Sequence, residues 1–237
     1  MNFDHVTPEF LVLGLSWYAA FILAITCHEA AHALAAHLMG DSTAHEAGQV
    51  TLNPLPHIER EPIGTVVVPI LFYLMNGYVI GWASAPYDPA WGVRYPMKAL
   101  KMALAGPLAN LLLAVLAGLA LRIGASAAGI ELSGFEVLKK AVDHQLPATP
   151  VDRIFMFGSI VFMLNVLLFV FNLMPFPPLD GSAIWPVVLA PRYLAVYYQY
   201  CHQPAFMIMG LIVASSLLAR AWIPVFLRIW DAVSFVI

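Results

Sequence analysis

The stretch FLVLGLSWYAAFILAITCHEAAHALAAHLM, residues 10–39, decides how the rest of this chain is read. From Phe10 to Cys27 it carries no charge, and it continues without a break to Met39. A helix of that length can cross a bilayer, whose hydrocarbon core takes about 20 apolar residues. Near its end stand His28, Glu29 and His32. Inside hydrocarbon each costs on the order of a few kcal/mol unless it faces a polar cavity or a metal. Histidines at i and i+4 share one helix face and can bind one zinc ion together. Glu29 lies about 100° round the helix from His28, where it can reach a metal-bound water without being a ligand, as a general base does. The plainer alternative is a polar contact between helices near the membrane interface.

Composition supports the spanning helix. Hydrophobic residues make up 61% of the 237 and charged residues 11%, with a mean hydropathy of +0.81. Soluble proteins hold roughly half and about a quarter of these classes. A soluble chain of this size would need far more polar surface, so this is an integral membrane protein. With 11 basic and 14 acidic residues, the net charge of -3 leaves no basic footprint, which excludes nucleic acid as a partner. Cys27 and Cys201 are too few for a disulfide scaffold and read as small hydrophobes in apolar segments. No Lys or Arg precedes the first apolar run in Met1 to Glu9, so the first helix is expected to remain in the mature protein.

Beyond the first helix, Gly40-Asp41-Ser42 gives a stop signal. The polar stretch Thr43 to Pro62 contains GQVTLNPLP, which reads as a short strand and turn. Ile63 to Tyr87 is uncharged but broken by Pro69, Asn76-Gly77, Gly81 and Pro86, and is expected to be re-entrant or partial. Further spans are Met102 to Leu121, Ile154 to Met174 and a segment near Ala205 to Ala219; Ala127 to Pro150 reads as a polar loop. The C-terminal RAWIPVFLRIWDAV suits the membrane interface. The expected fold is all-α: one membrane-embedded domain over residues 1–237, a polytopic bundle of about 4–6 transmembrane or partial segments with a small β or re-entrant element.

A hydrolytic zinc needs a third protein ligand and one open position. His37 lies on the face opposite His28; Glu131 and Glu136 sit in the polar loop; His57 reads as a structural or interface histidine. Asp180, in FNLMPFPPLDG (residues 171–181), is an acid embedded in uncharged sequence. It is the foremost candidate, with an N-cap for the following segment as the alternative. Asn110 and Asn165, both inside spans, read as hydrogen-bond glue between helices. Asn165 and Asn172, seven apart, share a helix face.

HEAAH in one membrane helix and NLMPFPPLDG after a later one resemble the site-2 protease family of intramembrane zinc metalloproteases. The resemblance extends to GQVTLNPLPHIE followed by PIGTVVVP, to GWASAPYDP and to AGPLANLLLA, and covers roughly residues 15 to 190. It implies one zinc ion per chain bound by His28, His32 and Asp180, with Glu29 activating water and Asn172 helping to hold the peptide carbonyl or its oxyanion. It also implies a transmembrane protein substrate, pre-cleaved by another protease. The setting implied is a prokaryotic plasma membrane with the active site toward the cytosolic side. Two departures stand out. Many small members read GWAKP where this chain has GWASA, and no polar block is long enough to fold as a PDZ-like insertion. Two other readings use the same residues. A metal transporter would want a ladder of ligands on the other spans, which the sequence lacks. An inactive protease-like binding protein would have no need of an intact HEAAH.

Overall fold

The computed structural model describes residues 7–143 and 145–234, so part of the Met1–Glu9 segment read above lies outside the described residues. In chain order the α-helices are α1 (Pro8–Leu38), α2 (Thr43–Glu46), α3 (Leu55–Arg60), α4 (Val68–Asn76), α5 (Pro89–Arg94), α6 (Pro96–Ala127), α7 (Gly134–Val142), α8 (Pro150–Asn172), α9 (Trp185–Val188), α10 (Pro191–Tyr200) and α11 (Pro204–Ser234). Four of them, α1, α6, α8 and α11, are long and apolar enough to cross a membrane. The architecture is an all-α polytopic bundle.

Local chemistry sets the ends of these helices. The Thr7 hydroxyl accepts the Phe10 N–H at 3.2 Å and Pro8 fills the first turn of α1. Just past its C-terminus, Gly40 adopts φ 100°, a conformation that glycine tolerates and that ends the helix. Ser133 and Glu136 form a reciprocal capping box on α7, a surface helix within the stretch expected to be loop. Sequence also underestimates α6 and α11. The latter runs on through Pro224 and both C-terminal arginines, so the segment assigned to the interface continues the last span.

Helices α1, α6 and α8 pack on one another, and α11 closes against one end of them. Phe162 of α8 meets Phe226 and Trp230 of α11 edge-on, with ring centroids 5.4 Å apart in both pairs. Gly118 of α6 makes this approach possible: a Cβ there would lie 2.7 Å from Val233 and 3.0 Å from Phe162. Small residues at such crossings let apolar helices approach closely where no hydrophobic drive separates protein from lipid. Asn110, Ser159 and Asn165 are fully buried, while Leu15, Leu112, Leu116 and Ile212 face outward. Polar groups inside and leucines outside is the arrangement hydrocarbon demands.

The expected strand at GQVTLNPLP does not form, and no β-strand occurs among the described residues. Pro54 and Pro56 lack N–H groups, and the Thr51 hydroxyl and Asn53 carboxamide accept the Asn53 and Leu55 N–H groups at 3.1 Å each. These local bonds replace a ladder. Ile63 to Asn76 is helical, opening with a π-helical turn over Ile63–Val67. Its 14 residues rise about 21 Å, short of a ~30 Å crossing. The chain reverses at Gly77 (φ 79°) and returns without regular secondary structure through residues 79–88. Trp82 N–H donates to the Gly64 carbonyl at 3.1 Å, Arg60 Nε to the Ser84 carbonyl at 2.9 Å, and the Ser84 hydroxyl to Glu61 at 2.7 Å. The segment is a hairpin with one helical and one non-helical limb.

Candidate metal centre

The last third of α1 presents His28 and His32 on one face, directed at Gly106 of α6. A Cβ at Gly106 would overlap the Nε2 atoms of both rings, so only glycine leaves room there. After α8, the proline-rich turn leads into a 3-10 segment, Asp180–Ile184, that swings the Asp180 carboxylate to the same point. The turn packs tightly: a Cβ at Gly181 would overlap the Leu173 carbonyl.

Three donors converge. His28 Nε2 and His32 Nε2 lie 2.9 Å apart, with Asp180 Oδ2 3.1 Å from the first and Asp180 Oδ1 3.4 Å from the second. Each ring bonds an acceptor through its other nitrogen: His28 Nδ1 donates to Asn110 Oδ1 at 2.6 Å, and His32 Nδ1 to the Met102 carbonyl at 2.8 Å. With Nδ1 protonated in both rings, both Nε2 atoms present lone pairs to each other and to the carboxylate. Asp180 Oδ2 is buried and makes no hydrogen bond among the described residues, its polar neighbour being His28 Nε2 at 3.1 Å. Such a concentration of lone pairs suits a bound cation. Bonds of about 2.0–2.1 Å in tetrahedral disposition would set donors about 3.3 Å apart, close to the spacing found.

Glu29, buried to 4% exposure, makes no hydrogen bond or ion pair among the described residues. It lines a cleft of about 410 Å³ together with His32 and Asp180. One wall of the cleft is the return limb of the hairpin at Ala83 to Tyr87; another is α10, held by Tyr197, whose hydroxyl donates to the Ser182 carbonyl at 3.0 Å. Cys201, buried, belongs to the same wall. Two imidazoles able to hold a metal ion, with two carboxylates beside them, are the parts from which a metallohydrolase is built.

The sequence profile of Peptidase family M50 matches residues 17–213. The chain belongs to peptidase family M50. This is the site-2 protease family, so the M50 protein is a zinc-dependent metalloprotease of the site-2 protease type, built in membrane-spanning helices. YwhC of Bacillus subtilis (strain 168) is 36% identical over 172 residues, which cover 72% of this chain and 67% of YwhC. Rip2 of Mycolicibacterium smegmatis is 31% identical over 165 residues, covering 69% of this chain and 53% of Rip2. The names of both class them among zinc metalloproteases. No solved structure matches the chain.

The other expected residues of the M50 protein fall as follows. Asn172 is the last residue of α8, half-buried, and is not among the residues lining the cleft. His57 is buried, its Nε2 donating to the Thr51 carbonyl at 3.0 Å. Glu131 and Glu136 are exposed, and Glu136 serves the α7 cap. His37 stacks on His45 with ring centroids 4.1 Å apart. Asn110 does bond between helices as expected, to α1 and α8; what sequence reading missed is that one of its partners is His28. The available signal was its spacing from Gly106: i and i+4 place both on the α6 face turned toward α1.

Proposed function

We propose that this M50 protein hydrolyses peptide bonds of transmembrane substrate proteins within the bilayer, after another protease has trimmed them. The observation that carries the reading is the convergence of His28, His32 and Asp180 beside a free Glu29 in an open cleft. His28, His32 and Asp180 would hold one zinc ion per chain. When bound, zinc supplies Lewis acidity and a water whose pKa falls to about 7. Glu29 would serve as the general base, taking a proton from the attacking water and passing it to the leaving amine. Asn172, at the end of α8 and not lining the cleft, is assigned as a donor to the peptide carbonyl oxygen on the family resemblance alone.

A substrate helix must unwind before its backbone is accessible, and the return limb of the hairpin offers it a partner. The backbone of Ala83, Ala85 and Tyr87 has no hydrogen-bond partner among the described residues, although these residues border the cleft. An unwound substrate segment can pair there as an added strand. The setting assigned is a prokaryotic plasma membrane, with the active site toward the cytosolic side. The test is cleavage of a single-span substrate by purified protein in detergent. Wild type should cleave and chelator should abolish cleavage, restored by added zinc. Activity that persists under chelation would refute the proposal.

A further inference from the structure

A chain of three buried carboxamide and imidazole groups crosses the bundle from α8 through α6 to α1. Asn165 Nδ2 donates to the Val161 carbonyl at 2.8 Å. Asn110 Nδ2 donates to Asn165 Oδ1 at 2.9 Å and to the Ala24 carbonyl at 3.3 Å, and Asn110 Oδ1 receives His28 Nδ1 at 2.6 Å. Both asparagines are at 0% exposure, so water cannot substitute for a lost partner.

The direction of this chain is fixed from its far end. A backbone carbonyl only accepts, so Val161 forces the Asn165 amide nitrogen toward itself and the Asn165 oxygen toward Asn110. That oxygen also only accepts, so Asn110 must turn its nitrogen to Asn165, a choice the Ala24 carbonyl reinforces. The Asn110 oxygen is then left for His28, which can bond it only as an Nδ1–H donor. Reversing either carboxamide would set acceptor against acceptor in a dry interior, where an unmet polar group is costly.

We propose that Asn165 and Asn110 form a one-way relay that holds His28 in its Nδ1–H tautomer and so presents a bare Nε2 to the metal. The inference rests on the metalloprotease reading of the site. Asn165 and Asn110 are positioning residues: neither touches the cleft, and both act through His28. His32 needs no relay because the Met102 carbonyl bonds its Nδ1 directly. Two imidazoles one helical turn apart are therefore oriented by different means. One uses a backbone group of α6; the other uses side chains that couple the site to α8.

Zinc affinity separates this role from packing. Zinc is titrated into purified, folded protein against a competing chelator, with cobalt substitution reporting ligand geometry by absorbance. Asn165→Leu, which removes the acceptor while keeping the volume, should weaken zinc binding by about 10- to 100-fold and alter the cobalt spectrum. Asn165→Asp, which keeps an acceptor for Asn110, should bind zinc near the wild-type affinity despite lower thermal stability. A purely structural asparagine predicts equal affinity in the folded fraction of both variants, and Asn165→Leu within twofold of wild type would overturn the relay. A wild-type protein that takes up no zinc would instead overturn the metal reading itself. Independently of whether the variants fold, ¹⁵N-histidine spectra of zinc-free wild type should show His28, assigned by its loss in His28→Gln, as the Nδ1–H tautomer. The Nε2–H tautomer there would also refute the relay.

Discussion

Glu29 has no bonding partner among the described residues, whereas Asp180 faces two imidazole nitrogens at 3.1 and 3.4 Å. The same functional group therefore does different work at the two positions, and variants should separate them. Glu29→Gln removes a base but no ligand; it should keep wild-type zinc content while activity falls by about 10²- to 10⁴-fold. Asp180→Ala should lower both, as metal analysis beside the cleavage assay would show. Gly106→Ala is a third probe: its methyl group would occupy the space between both Nε2 atoms, so zinc content should fall even though all ligands remain. A fully loaded Gly106→Ala protein would contradict the geometry. Away from the spans, Asp41 is 4% exposed. Burial acts to raise its pKa, but bonds from the Thr43 hydroxyl and N–H and from the Asp88 N–H outweigh it and hold the carboxyl below its ordinary value. A depressed folded pKa gives stability that is present above the unfolded value of about 4 and is lost as pH falls through the folded one. Asp41→Asn should thus be less stable than wild type by about 1–2 kcal/mol at neutral pH, with the gap in melting temperature closing below about pH 4.

At the scale of elements, the hairpin between α1 and α6 sets the shape of the cleft. Lys98 Nζ donates to the Met39 carbonyl at 2.9 Å, and Asp41 binds the Asp88 N–H at 2.8 Å. The end of α1 and the start of α6 are therefore neighbours, and the segment between them must return to the side it left. Cysteines placed at 60 and 94 should accordingly be labelled by an impermeant reagent from the same face of a sealed membrane. Labelling from opposite faces would require a full crossing. The same segment shows where sequence pattern stops. Pro69, Asn76-Gly77 and Gly81 announced a broken span, because prolines and glycines act locally on the backbone. That GQVTLNPLP would prefer side-chain bonds to a strand was not readable, because alternation alone does not supply a partner strand. The polar stretch expected to be loop likewise contains α7, whose capping box was present in the sequence as Ser133 and Glu136.

For the whole molecule, the metal site joins α1 to the turn after α8, so zinc should act as a cross-link between distant parts of the chain. A ligand that binds only the folded state stabilises it by about 2.7 kcal/mol at a hundredfold excess over Kd. Chelation should then lower the wild-type melting temperature by several degrees, and Asp180→Ala, lacking a ligand, should respond little. Equal shifts in the two proteins would disconnect Asp180 from the metal. What the sequence by itself determined was whatever follows from composition and local spacing: the membrane environment from its apolar content, the paired imidazoles from i and i+4, and Glu29 from the same helical period. It also marked Asp180 as an acid out of place in apolar sequence. Tertiary structure alone decided that Gly106 forms the floor of the site, that the return limb of the hairpin borders the cleft, and that Asn110 and Asn165 bond toward His28. Each of those facts depends on contacts between residues more than fifty positions apart in the chain, and only helix packing in three dimensions brings such groups within bonding distance.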